Sequence, residues 1–240
     1  MNPTHLPPLE ARSLKAQCAA MLERCIISGE LAIGCSLPPE RDFARQLGVS
    51  RPVLHEAIVD LAAKGFLVIE PRRGVRVKDF YLEGTLDTFE AIVLHGDGRF
   101  APGVLQDVLG FRLLLEREAV RLAAARGGGP FLAPLQALLQ EEAALPALPH
   151  GLERRCALDF RFHLLLAEAS GNSILPLVMN SIAPIHRSLI ERFYRSGPDL
   201  ALVGGWHGRI IEALQAGEVE QATGLMTELL AHGARTLGGS

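Results

Sequence analysis

The sequence predicts a mostly α-helical protein in two parts: three short helices with a small hairpin, then an antiparallel all-helical bundle. Three observations carry this. Apolar residues recur at helical spacing in three segments before Gly65. The run that follows, FLVIE, a PRRG turn and VRV, alternates as a hairpin does. From about residue 86 onward every pattern is helical, punctuated by glycine and proline.

Leu14, Cys18, Met21, Leu22, Cys25 and Ile26 make the apolar face of a first helix over 10–28, stopped by Gly29. Pro38 and Pro39 reopen the chain, and Phe43, Ala44 and Leu47 form a short second helix that Gly48 ends. Ser50 is a good N-cap, Pro52 suits a first turn, and Leu54, Ala57, Ile58 and Leu61 are the stripe of a third helix closed by Gly65. Three helices and a hairpin assemble as a winged helix-turn-helix over 9–78, with 79–85 as a short linker and 86–236 as the helical domain. That domain opens with a long helix from Pro102 to Ala125, stopped by Gly127-Gly128-Gly129-Pro130. Further helices are expected over 132–144, 151–169, 173–195, 199–216 and 218–236, with Pro184 kinking the 173–195 helix.

Composition narrows the function. Hydrophobic residues are 48% and charged residues 21% of 240, which excludes global disorder. No apolar run reaches the roughly 18 residues of a membrane span, and MNPTHLPPLE lacks the form of a secretory signal. Cys18, Cys25, Cys35 and Cys156 form no CxxC pair and read as reduced thiols, so the expected location is the cytoplasm, with no membrane partner. The net charge of -3 hides a polarity: residues 1–78 hold 11 basic against 8 acidic residues, and the remainder 13 against 19. A basic segment ahead of an acidic body points to an anionic partner for the N-terminal part. All three lysines (Lys15, Lys64, Lys78) lie in that part, so the larger domain has none for Schiff-base chemistry. No GxSxG, P-loop or HExxH motif is present either.

The segment LPPERDFARQLGVSRPVLHEAI, residues 37–58, resembles the helix-turn-helix of GntR-type bacterial transcription regulators. The resemblance implies double-stranded operator DNA as partner. Arg41 and Arg51 would read bases, Ser50 would contact a phosphate, and Pro52 would lie beside them at the start of the recognition helix. The wing turn Arg72-Arg73-Gly74 would enter the minor groove or clamp the backbone. His55 stands where the family usually has arginine, which weakens one expected backbone contact. Reading a palindrome requires two-fold symmetry, so a homodimer is expected.

Three stretches, FRLLLEREAVRLAA (111–124), DFRFHLLLAEASGN (159–172) and WHGRIIEALQAGE (206–218), resemble the FCD-type ligand-binding domain of the FadR branch of that superfamily. Asp159 and His163, four apart, share one face of a helix that is apolar nearly all round, so the pair must be partnered or coordinate something. With His207 they make an O, N, N set suited to Zn, Ni or Mn. In many FCD-type proteins such a set holds a divalent metal and, through it, an effector carboxylate. A further histidine is expected eleven residues after Glu218; Leu229 stands there, with His232 the nearest histidine. The alternative is a plain Asp159–His163 hydrogen bond with His207 as an ordinary pocket residue.

A metal-free pocket for acyl-CoA is the other reading the branch offers, with Arg112 and Trp206 in the expected positions. Arg112 and Glu116 could form a surface salt bridge. The flanking Leu113, Leu114 and Leu115 favour an inward Arg112 that meets an anion bidentately. Asn172 and Arg187 complete the effector candidates; His186, beyond the Pro184 kink, is more commonly a satisfied core histidine. His5, His95 and His150 receive no role. The expected function is a non-enzymatic DNA-binding regulator, repressor or activator, controlled by a small acidic metabolite. A helical-bundle metalloenzyme is the remote rival, disfavoured because no repeated Glu-x-x-His pair occurs.

Overall fold

The computed structural model describes residues 13–94 and 104–238 and divides into two compact units, 1–96 and 97–240. His5, His95, Pro102 and the residues expected to open the first helix lie outside the described residues.

The first unit contains α1 (Leu14–Ile27), α2 (Glu40–Leu47), α3 (Arg51–Ala63), β1 (Leu67–Glu70) and β2 (Gly74–Val77). Ser13 caps α1, its Oγ accepting from the Ala16 amide at 3.2 Å. Cys18, Leu22 and Ile26 on α1 and Leu54, Ala57, Ile58 and Leu61 on α3 are buried where the two helices pack. Lys15–Asp60 and Lys64–Glu23 ion pairs, both at 2.8 Å, fasten the rims of that contact. Gly48 ends α2 at φ 67°, a left-handed conformation that a Cβ would strain. The antiparallel hairpin pairs Leu67 with Val77 and Glu70 with Gly74, placing Leu67, Val75 and Val77 in the core.

The stretch expected as a linker is folded. Asp79 caps α4 (Phe80–Glu83), accepting from the Leu82 amide. Phe80 is buried with its ring centroid 5.4 Å from that of Phe66. Thr85 and Thr88 form a reciprocal capping box at the start of α5 (Leu86–Val93), and Thr88 Oγ1 also donates to the Lys64 carbonyl. Burying Phe80 and satisfying these caps hold the segment on the winged unit, which extends past the boundary expected at residue 86.

The second unit contains α6 (Val104–Ala125), a 3-10 turn at Gly129–Phe131, α7 (Leu132–Ala144), α8 (Leu152–Ala169), α9 (Ile174–Ser181), α10 (Ala183–Arg195), α11 (Leu200–Ala216) and α12 (Val219–Gly238). The single kinked helix expected over 173–195 is two helices, broken at Ile182. Pro184 lies in the first turn of α10, where its missing N–H leaves no partner unpaired. At the centre is α8, with Leu158, Phe160, Phe162, Leu164, Leu165, Leu166 and Ala167 all buried. It packs against α6, α7, α9 and α10, while α12 packs on α6 and α11. Arg161 marks the exposed edge of α8, and Asp159 and His163 lie on its buried faces, in the interior. Among the described residues no helix is long and apolar enough to cross a membrane.

Candidate functional site

The winged unit presents its arginines outward. Arg41 and Arg51 have side chains 78% and 70% exposed. Glu40 lies between Arg51 and His55: Oε2 is 3.3 Å from Arg51 Nε, and Oε1 is 2.9 Å from His55 Nδ1. The His55 hydrogen bond, helped by Arg51 and opposed by partial burial, holds the Glu40 carboxyl below its ordinary range. Ser50 Oγ accepts from the Val53 amide at 3.5 Å, which leaves the hydroxyl proton for another acceptor. Pro52 sits in the exposed first turn of α3. Arg72 and Arg73 are exposed at the wing tip, Arg72 at φ 67° and Gly74 at φ 101°.

Inside the second unit, Asp159, His163 and His207 each offer a ligand atom, all within 4.8 Å of one another and all buried. Asp159 Oδ2 accepts from the Tyr194 hydroxyl at 2.7 Å, and Asp159 Oδ1 lies 3.5 Å from His163 Nε2. Burial first, then the Asp159 charge, raises the Tyr194 phenol, so Tyr194 remains a donor. The other ring nitrogen of His163 lies against Glu116. The Nδ1 of His207 is 2.9 Å from Glu142 Oε2, and its buried Nε2 has no hydrogen-bond partner among the described residues. Burial opposes a charge on His207, but the Glu142 hydrogen bond and charge outweigh it and push the ring up. Both imidazoles thus point one nitrogen at a carboxylate and leave the other inward, the arrangement that orients metal-binding histidines. The O, N, N donor set and the orphaned His207 Nε2 fit a divalent cation.

Arg112 closes the site from α6. It pairs with Glu116 one turn on, and its Nη2 lies 3.1 Å from His163 Nε2. Burial pulls the Glu116 carboxyl up, yet Arg112 first and then His163 and His186 hold it well below its ordinary range. His186 Nε2 is 3.1 Å from Glu116 Oε1. Burial foremost, then Arg112, lowers His186 to about 4, so that ring is neutral at pH 7. Arg112, Asp159 and His163 share a small cavity of about 30 Å³, otherwise walled by apolar side chains including Phe193, Val203 and Leu229. That size admits an ion or a water, and a larger ligand requires the surrounding helices to part.

Family comparison assigns both units. The model described as "Bacterial regulatory proteins, gntR family" matches residues 14–77, and the FCD domain model matches 107–232. This chain belongs to the GntR family. It is 32% identical to the Glc operon transcriptional activator of Escherichia coli strain K12 over 180 residues, 73% of this chain and 68% of that protein. It is 31% identical to the uncharacterized HTH-type transcriptional regulator YieP of the same strain over 214 residues, 86% and 90% of the two chains. The solved structure of Lar, described as controlling expression of the agr system in Listeria monocytogenes, shares the fold with a TM-score of 0.55. The two are 20% identical, over 95% of this chain and 97% of that one. The chain is therefore a transcriptional regulator and not an enzyme.

Within this GntR-family chain the structure brings Arg112, Asp159, His163 and His207 together. Arg112 is both salt-bridged to Glu116 and turned inward, so the two readings of that pair are compatible. Leu229 faces the cavity where the further histidine is expected, and His232 stays outside the ligand set, its ring 5.2 Å from Trp206 and 5.8 Å from Phe193. Trp206 is buried and its indole N–H donates to Glu228 at 3.4 Å. Two effector candidates lie elsewhere: Asn172 is exposed and caps the Ile174 amide, and Arg187 lies over the Phe160 ring at 4.9 Å. Glu142 and Arg155 were missed by sequence reasoning. Both are buried, and Glu142 carried no local signal because its partner His207 is 65 residues away.

Proposed function

We propose that this regulator binds operator DNA as a homodimer through Arg41, Arg51 and the wing, and that a small carboxylate metabolite bound in the second unit sets its operator affinity. The observation that supports the effector reading is the inward guanidinium of Arg112 at the wall of an otherwise apolar cavity, beside Asp159 and His163. A guanidinium so placed recognises a carboxylate bidentately. Asp159, His163 and His207 would hold a divalent cation (Zn, Ni or Mn), which would supply a Lewis-acidic seat for the effector carboxylate. Arg112 would then exchange its contact with His163 Nε2 for the effector, while Glu116 keeps both Arg112 and His163 oriented. The setting for such a protein is the cytoplasm.

A metal-free reading has its own support. Arg112 already occupies the inward nitrogen of His163, and Leu229 offers an apolar wall in place of a ligand. The effector in that reading is an acyl-CoA, whose bulk would have to open the closed cavity. Native mass spectrometry before any chelator treatment separates the two. A dimer carrying one divalent ion per chain supports the metal reading, and a metal-free dimer with a CoA-sized adduct supports the second. A strict monomer would count against operator reading by a symmetric pair. Operator titration with and without the retained effector then tests the switch, and unchanged affinity at saturation would refute it.

A further inference from the structure

Behind His207, on the side of its Nδ1, α7, α8 and the start of α11 enclose a groove lined by Leu139, Ala143, Leu145, Leu200, Ala201 and the buried pair Glu142 and Arg155. Arg155 is 4% exposed, and its five donors are poorly matched. Nη2 donates to the Pro146 carbonyl at 3.3 Å, Nη1 lies 3.9 Å from Glu142 Oε1, and Nε has no partner among the described residues. Glu142 approaches Arg155 with one oxygen only and beyond hydrogen-bond distance, its other oxygen accepting from His207 at 2.9 Å. Leu200 and Ala201 open the 17-residue α11, so the positive end of that helix dipole faces the same groove, partly capped by Asp199. A buried guanidinium lacking a full set of acceptors is costly unless an anion or water supplies them.

We infer that this groove is a second ligand site, which takes a small carboxylate with a short apolar body. With the Arg155 side chain turned toward the groove, the carboxylate would accept from its Nε, now buried, and from Nη1, and the apolar body would lie against Leu139, Leu145 and Leu200. The site is separate from the Arg112 cavity and stands whether or not that cavity holds a metal. The groove and the cavity lie at opposite edges of the His207 ring, one at Glu142 and the other at Asp159 and His163.

The test is calorimetric titration of the full-length, EDTA-dialysed protein with sodium butyrate, comparing the natural sequence with Arg155→Gln and Ala143→Phe. The first variant removes the guanidinium. The second fills the groove from an exposed position and leaves Arg155 untouched, so it decides the matter if Arg155→Gln does not fold. The expected result is saturable millimolar binding that weakens about tenfold or more in each folded variant, the scale of one charge-assisted hydrogen bond. Absence of saturable binding in the natural protein, or butyrate affinity retained in either folded variant, overturns the proposal.

Discussion

Glu142 on α7 receives the Nδ1 hydrogen of His207 on α11 at 2.9 Å, and this contact leaves Nε2 as the buried nitrogen beside Asp159 and His163. A carboxylate can only accept, so Nδ1 carries the proton and Nε2 keeps its lone pair when the ring is neutral. Glu142→Gln keeps the size of the side chain and removes the charge. It is expected to weaken zinc binding by about 10- to 100-fold, the usual effect of losing an orienting outer partner. Competition with a chromophoric chelator measures this, and an unchanged affinity would show that Glu142 does not orient a metal ligand.

His186 ties stability to pH. Its folded value of about 4 lies below the ordinary 6.5, because burial and then Arg112 disfavour the charged ring. Between those values the unfolded chain binds more protons than the folded one, so stability falls as pH falls. The span corresponds to an upper estimate of about 3 kcal/mol. Glu116, held low, adds a loss of the same sign further down the pH scale. Urea midpoints near neutral pH and near about pH 5 should differ less in His186→Gln than in the natural protein. An identical acid slope in both would remove His186 as the cause.

His55→Arg is expected to tighten DNA binding by a similar factor on all sequences and to raise the salt slope by about one. The longer, always charged side chain would still find Glu40, which already pairs with Arg51 and His55, while its free donors reach a phosphate. Titration of specific and scrambled duplexes at two salt concentrations reads both effects. No change in either would mean that position 55 does not face DNA.

Gly74→Ala tests the wing. At φ 101° an L side chain is strained, although a Cβ there meets nothing within 4 Å, so the cost is one of backbone conformation alone. A loss of about 1–2 kcal/mol in unfolding free energy is expected. Retention of the natural denaturation midpoint would show that the turn relaxes without strain.

Local signals carried most of the fold. Ser50, Gly48 and Gly65 bound the recognition elements at their expected places, because caps and left-handed turns act over a few residues. The folded 79–85 segment was harder to read. Its capping residues Asp79 and Thr85 are local, but the burial of Phe80 against Phe66 depends on a contact across the hairpin.

The sequence by itself determined the helix-and-hairpin order, the outward basic face, the family and the likeness of Asp159, His163 and His207 to a ligand set. These follow from residue type and spacing along single elements. Only the tertiary structure decided which groups complete the interior: Glu142 on His207, Glu116 between Arg112, His163 and His186, and Leu229 rather than His232 at the cavity wall. Those contacts join helices far apart in the chain. Desolvation and charge act through space, so no periodicity within one helix can reveal which buried carboxylate meets which imidazole.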